Sequence, residues 1–313
     1  MSNFLLNLVF VMLVTSPAEE KQANILINSI RDFGGIYADS PVYVFMSDTL
    51  NAHCHSIKSP NVKFITLDAD NNMPDYPFLY KVLACAKAEE LLKGKSDIIV
   101  WMDVDALVLK EPSEFCLGKN KKISIRPVNL RNNVGLPADE PADMYWQKIY
   151  DYKRLKVNKV PVVETLVDKT QVREYLNCAI FSIRSDQCIF SDWKRIFLLL
   201  VNDPDYQRKA CTTINHKVFL HQAVLSAIIS KRIKKNEIQW FSQRAGYPLH
   251  HHKELDQGIR ALKLNQLESV IYERLWDAPH WIMCAIRVDE PLRSWLRVNY
   301  ERVTGRELYL IAQ

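Results

Sequence analysis

The sequence predicts an α/β protein built on a mostly parallel, doubly wound sheet flanked by helices, and three observations predict it. Short apolar runs alternate with amphipathic helical segments through the first third of the chain. Each apolar run is followed by small or acidic polar residues, and in sheets of this kind ligands bind outside the carboxyl ends of the strands. The run Ile98 to Met102 is apolar without interruption, which suits a strand buried on both faces.

The first strand is read at Leu8 to Val14. The apolar stretch 4–14 has the look of a signal-peptide core, but no Lys or Arg precedes it and Thr15-Ser16-Pro17-Ala18-Glu19 makes a poor cleavage site. It is also too short to cross a bilayer as a helix. A helix follows with clear punctuation: Ser16 and Glu19 as a capping box, Pro17 at the first helical position, and Gly34-Gly35 as the stop. Its Ala23, Leu26, Ile27 and Ile30 fall at the spacing of one packed face. Strands are then read at Val42 to Met46, Val62 to Leu67 and Ile98 to Met102, ending in Ser47-Asp48, Asp68-Ala69-Asp70 and Asp103-Val104-Asp105. A second helix is expected from about Pro77 to Lys93, with Leu79, Val82, Leu83 and Ala86 on its apolar face and Gly94 beyond its end.

The later chain is less regular. The stretch from Arg126 to Pro137 reads as a polar loop, Tyr175 to Ile183 as a buried strand, and Val218 to Ser230 as a short apolar helix with His221-Gln222 near its start. With no repeat or linker in view, residues 1–313 are taken as a single compact domain, 1–115 the nucleotide-binding half and 116–313 the acceptor-side half.

Composition removes several classes. Hydrophobic residues at 48% and charged residues at 25% describe a globular protein. The formal charge of +5 comes partly from Lys119-Asn120-Lys121-Lys122 and Lys231-Arg232-Ile233-Lys234-Lys235, read as solvated loops or helix ends. A nucleic-acid partner would want a longer basic face interleaved with aromatics, so none is expected. Seven cysteines without a C-x-x-C pair argue against a disulfide framework or zinc site and for a reducing, cytoplasmic setting. No G-x-G-x-x-G follows the first strand and no G-x-x-x-x-G-K-[ST] is present, which weakens a dinucleotide fold and removes a P-loop.

The chemistry centres on Asp103 and Asp105. Two carboxylates one residue apart converge on one side of an extended backbone, where they repel each other and call for positive charge. A hard divalent cation, Mn or Mg, carrying a diphosphate answers that need with oxygen ligands and open positions. The alternative reading is Asp as an ordinary strand-end residue. In Leu249-His250-His251-His252, alternation would put His250 and His252 on one side of an extended segment, making His250 a candidate third ligand or an ordinary surface histidine.

Taken in order, these motifs resemble the GT-A nucleotide-diphospho-sugar transferases, particularly glycosyltransferase family 8 and its bacterial relatives. Leu79-Tyr80-Lys81-Val82-Leu83 is similar to the family's Tyr-Arg helix, and Val100-Trp101-Met102-Asp103-Val104-Asp105 to its D-x-D strand. Asn177-Cys178-Ala179 stands at its N-A-G strand and His221-Gln222 at its D-Q helix. The resemblance spans most of Leu8 to His252. It implies a metal-dependent transferase moving a sugar from a nucleotide-diphosphate donor to a glycan, lipid or protein acceptor. Asp103 and Asp105 would hold Mn or Mg, Asp103 alternatively the ribose, and Lys81 the phosphate; Asn177, His221 and Gln222 would lie beside the sugar.

Thr15 and Ser16 are candidates for the base or ribose, although Ser16 is also a sufficient N-cap. Lys81 keeps the charge of the family's Arg without its bidentate geometry. His221 replaces an Asp, and its alternative is a core histidine on the face of Val224, Leu225 and Ile228; Gln222, kept beside it, favours the sugar-side role. The family's late metal-binding His has no counterpart in Trp281-Ile282-Met283-Cys284-Ala285. Two other readings are carried forward. One is a non-catalytic GT-A-like protein that binds nucleotide or glycan, favoured by His221. The other is a HAD-type phosphatase, disfavoured by Leu107 two residues after the second Asp and by a motif that comes fourth along the sheet.

Overall fold

A computed structural model of the protein describes residues 6–47, 56–67, 73–272 and 286–305. Asp48, Cys54, Asp68-Ala69-Asp70, Cys284 and the segment 281–285 lie outside the described residues. In chain order the elements are β1 (Leu8–Val14), α1 (Pro17–Phe33), β2 (Val42–Ser47), β3 (Val62–Leu67), α2 (Leu79–Leu92), β4 (Ile98–Met102) and β5 (Ala106–Val108). Then come β6 (Ile123–Pro127), α3 (Met144–Lys153), β7 (Val162–Glu164), β8 (Gln171–Arg173), β9 (Leu176–Arg184), α4 (Phe190–Val201), α5 (Pro204–Lys209) and α6 (Ile214–Val218). The last are α7 (Leu220–Arg232), β10 (Ile238–Trp240), β11 (Tyr247–Pro248), β12 (Ser269–Ile271) and α8 (Leu292–Thr304).

The main sheet is mostly parallel and has seven strands in the order β10-β6-β9-β4-β1-β2-β3. The five residues of β4 are all buried, the signature of a strand covered on both faces. At the sheet edge β3 is only partly covered, with Leu67 its one buried residue. The chain divides into two compact units, one of residues 1–66, 100–116 and 241–313, the other of 67–99 and 117–240.

In the first unit β1 pairs with β2 in parallel, from Phe10 opposite Val42 to Val14 opposite Met46. The expected face of α1 is buried throughout: Ala23, Leu26, Ile27 and Ile30 are inaccessible to solvent. Its capping differs from the expected box. Ser16 Oγ accepts from Glu19 N at 3.2 Å. The Glu19 carboxylate, however, reaches Thr15, accepting from its N at 2.6 Å and its Oγ1 at 2.8 Å. Gly35, at φ +57, adopts the left-handed conformation past the helix, where a Cβ would strike Glu111. A small sheet in the order β11-β12-β5 completes this unit; buried Ser29 of α1 accepts from Val108 N at 3.0 Å. The α8 helix sets Trp295 edge-on to Phe33 and donates its indole N–H to Asp32 at 2.6 Å.

In the second unit β6 runs antiparallel to β9 and parallel to β10. The register places Arg126 opposite Asn177 and Pro127 opposite Leu176, so the stretch expected to be all loop begins as strand and Arg126 is buried. Pairing partners distant in sequence override local polarity there. Helix α2 starts at Leu79 rather than Pro77, because Phe78 takes a left-handed conformation with φ 59. At its other end Glu89 accepts from Phe190 N and Ser191 N, both at 3.0 Å, capping α4. Every residue of α7 from Leu220 to Ile229 is buried, with Trp193 of α4 donating to His221 O at 2.7 Å. The basic clusters are solvent-facing and tied locally, Lys121 to the carbonyls of Asn236 and Ile238 and Lys122 to Glu237.

Among the described residues no helix is long and apolar enough to cross a membrane, and Cys85, Cys116, Cys178, Cys188 and Cys211 are thiols.

Candidate functional site

Asp103 follows the last residue of β4, and Val104-Asp105 form the turn into β5. The backbone is therefore a turn and not the extended segment assumed from the sequence. Strand alternation therefore does not apply to the two carboxylates. Asp103 and Asp105 are both half-buried, and Val104 between them is buried. Asp103 Oδ1 accepts from Trp101 Nε1 at 2.7 Å, a bond that orients the carboxylate from its own strand.

The turn is clamped by Tyr272, just past β12. Tyr272 N donates to Asp105 O at 2.9 Å, and its phenol donates to Val104 O at 3.3 Å. Burial first, and then the Asp105 carboxylate, hold the Tyr272 phenol well above its ordinary pKa. It remains a neutral donor over the working pH range. No sequence pattern announces this residue.

His250 comes to the same end of the small sheet. Pro248 pairs with Ile271 and Ile271 pairs with Ala106, so the segments leaving β11 and entering β5 meet at the end of β12. Leu249 to His251 form a 3₁₀ turn, which replaces the extended alternation expected for these histidines. His250 Nδ1 lies 3.4 Å from Ile271 O, His251 Nδ1 pairs with Glu254 at 3.0 Å, and His252 Nδ1 with Tyr247 Oη at 2.6 Å. His250 and His252 thus face different partners. Burial, with His251 adding to it, pushes the His250 pKa down to about 4, so the ring is neutral near pH 7. The carbonyl beside Nδ1 assigns the proton to that nitrogen and the lone pair to Nε2.

Carboxylate and neutral imidazole are side-chain types that Mn or Mg accepts. Among the described residues, however, no group of three or more His, Cys, Asp or Glu is placed so that it could hold a metal ion. A cation here would have to draw further oxygen ligands from a bound diphosphate.

Thr15 and Ser16 leave β1 in this unit. Both are already engaged by Glu19, the former through N and Oγ1 and the latter as the N-cap. Any nucleoside contact would have to share these bonds.

The remaining candidates lie in the second unit. Lys81 is buried, 2% exposed, and its ammonium stands 5.7 Å from the centroid of the Phe78 ring. His221 is 3% exposed. Its Nδ1 lies 2.9 Å from Val218 O, and its ring stacks on Phe78 at 4.1 Å with 16° between planes. Burial first and Lys81 second hold its pKa well below the ordinary histidine value. Gln222 Oε1 accepts from Cys178 N at 3.3 Å, while Asn177 Oδ1 accepts from Ala179 N at 2.8 Å, two residues along its own strand. The structure therefore joins Lys81 to His221 through Phe78, and joins Gln222 to the Asn177 strand through Cys178. Phe78 was not legible as a site residue from the sequence. An aromatic residue at a left-handed helix entry, where Gly or Asn is usual, is visible only once the backbone is known.

The fold is that of the GT-A glycosyltransferases. The bifunctional glycosyltransferase WbbM matches with a TM-score of 0.50 at 11% identity, covering 99% of this chain; the chain spans about half, 53%, of that protein. The galactosyltransferase LgtC, solved with donor and acceptor sugar analogues, matches with a TM-score of 0.48 at 10% identity over 97% of both chains. Mouse xyloside xylosyltransferase 1 matches with a TM-score of 0.43 at 10% identity, over 85% of this chain and 97% of that one. No curated protein sequence matches the chain. The family model of the Rhodobacterales glycosyltransferase domain matches residues 10–232, and the chain belongs to that glycosyltransferase family.

Proposed function

We propose that the protein transfers a sugar from a nucleoside-diphosphate donor to an acceptor, with Asp103, Asp105 and His250 holding Mn or Mg at the diphosphate. The observation that carries this reading is the fastening of Asp105 and His250 to one end of β12, through Tyr272 N and Ile271 O respectively. A bound cation at that place would neutralise charge developing on the leaving diphosphate. The chain's own residues do the rest. Trp101 orients Asp103, Tyr272 fixes the turn, and burial keeps His250 neutral, so that its Nε2 would be the nitrogen to accept a metal bond.

Asp103 accepts from the Trp101 indole, and its carboxylate would serve the cation or the ribose. In the second unit, the resemblance gives Lys81 to the phosphate, and Asn177 and Gln222 to the sugar. The charge of Lys81 and the neutral, bonded amides of Asn177 and Gln222 support those roles. A reducing compartment belongs to the same reading, on seven cysteines without paired spacing.

Calorimetric titration of UDP, GDP and CDP, each with and without Mn, tests the proposal, followed by donor hydrolysis with the matching nucleotide sugar. Binding of one nucleotide that requires Mn, with slow hydrolysis of its sugar donor, is expected. Mn-dependent binding without any turnover would favour a protein that only binds nucleotide sugar. No binding of any nucleotide with Mn would end the reading.

A further inference from the structure

Phe78 is an aromatic residue in an unfavourable backbone conformation. It enters α2 with φ 59 and ψ 14, a left-handed conformation that costs a bulky residue roughly 1–2 kcal/mol and that Arg154, Lys169 and Cys188 also adopt in this unit. Its side chain is 43% exposed, so neither backbone preference nor core burial explains an aromatic residue there. One face of its ring is already occupied, stacked on His221 at 4.1 Å and 16°.

The underside is rigid. His221 is held by Val218 O at its Nδ1, and its own carbonyl accepts from Trp193. Trp193 also lies stacked against the His221 ring, with centroids 6.4 Å apart and 24° between planes. Because burial and Lys81 keep His221 neutral, the stack beneath Phe78 is apolar. Lys81, buried below the surface, approaches the same ring at 5.7 Å and supplies a cation beside it.

A rigid aromatic ring with one face backed, part of its surface exposed and a lysine alongside has the features of a stacking platform. From this geometry we infer that Phe78 stacks against the C–H face of a pyranose ring. Lys81 attracts an anionic group carried by the same ligand, while His221 and Trp193 stiffen the platform from below. The inference rests on the sugar-transfer reading. The pyranose comes either from the transferred sugar of the donor or from the acceptor.

Phe78→Ala, Phe78→Tyr and Phe78→Trp separate these sources. One arm measures affinity for UDP and for UDP-glucose, UDP-galactose and GDP-mannose in the presence of Mn. The other measures methyl glucopyranosides and galactopyranosides by saturation-transfer NMR with Mn and the bound nucleotide. If the donor sugar is the occupant, Phe78→Ala weakens the sugar nucleotide by about tenfold and leaves the free diphosphate within about twofold. If the acceptor is the occupant, only the glycoside signal falls. Tyr and Trp keep the affinity in either case. The melting temperature of Phe78→Ala falls modestly, because alanine keeps the left-handed strain and the stack on His221 is lost, so affinities are compared per folded molecule. Equal loss of diphosphate and sugar, or full sugar binding by Phe78→Ala, overturns the platform. So does a wild-type protein that takes up no pyranose in either arm. Failure of the transferase reading is separate, since it shows as wild-type protein that binds no diphosphate with Mn.

Discussion

Two histidines, half-buried His250 in the first unit and buried His221 in the second, are both kept neutral mainly by desolvation, yet their surroundings point to different chemistry. His250 has its Nδ1 beside the carbonyl of Ile271 in a neighbouring strand, and Asp105 O accepts from Tyr272 N just past that strand. His221 has its Nδ1 beside a carbonyl of its own helix entry, with aromatic rings above and alongside and a lysine next to it. Burial sets the protonation state in both. What lies around the ring sets the use: carboxylates make a cation site, whereas an aromatic stack and a lysine make a support for something neutral or anionic.

The largest expected effect breaks the first half of this comparison. Replacing Asp103 and Asp105 together with Asn removes both charges from the turn while keeping its shape. Mn-dependent diphosphate affinity should fall by on the order of a hundredfold or more, with circular dichroism unchanged. Undiminished binding in the double variant would remove the cation from the first unit.

Buried charge is tested next, at a group that no mechanism uses. Glu174 is 1% exposed. One oxygen accepts from Ser230 at 2.5 Å, and the other, Oε1, is buried with no hydrogen bond among the described residues. Burial raises its pKa to about 7, from 4.5 in the open chain. Between those values the folded protein keeps a proton that the unfolded chain has released. Stability therefore falls as pH rises from about 4.5 to about 7, by up to about 3 kcal/mol, and levels off above. Glu174→Gln should flatten urea-unfolding free energies across that window. Parallel pH profiles for the two proteins would show that Glu174 does not carry the slope.

How much of this was legible differs by element. β1, β3 and β4 were readable to the residue because each is an apolar run closed by polar residues, and α1 because its cap and glycine stop are local signals. The strands that build the candidate site were not. β5, β11 and β12 have two or three residues each, too few to carry a period, and long-range pairing alone creates them. That is why Asp103 and Asp105 stood out while Tyr272, which clamps them, did not. The alternation argued for His250 and His252 does not apply, because the segment is a 3₁₀ turn. The burial of Lys81 was not legible either, because packing beneath Phe78 decides it.

His221 sharpens the comparison from the other side. The retained Gln222 favours a sugar-side role, but 3% exposure means a ligand would meet the Phe78 ring above it. His221→Ala removes the stack and leaves a cavity beside Trp193, so a loss of about 2–3 kcal/mol in unfolding free energy is expected. Diphosphate binding per folded molecule should persist. A variant with unchanged melting temperature and slowed turnover would instead place the imidazole itself at the sugar.

The smallest effect concerns the clamp. Tyr272→Phe deletes the phenol bond to Val104 O but keeps the backbone bond from Tyr272 N to Asp105 O and the buried ring. Losing one neutral hydrogen bond and leaving a buried carbonyl short of it costs about 1 kcal/mol. Because the turn carries both carboxylates, part of that loss should appear as looser cation geometry, and Mn-dependent diphosphate affinity should drop about two- to fivefold. Replacing Trp101 with Phe deletes the other support, the bond to Asp103, and offers an independent comparison. If the turn is held as one piece, the two losses will not add. A drop in stability for Tyr272→Phe with unchanged affinity would show that the clamp serves the fold alone, and that β4 and β5 hold the carboxylates in place without it.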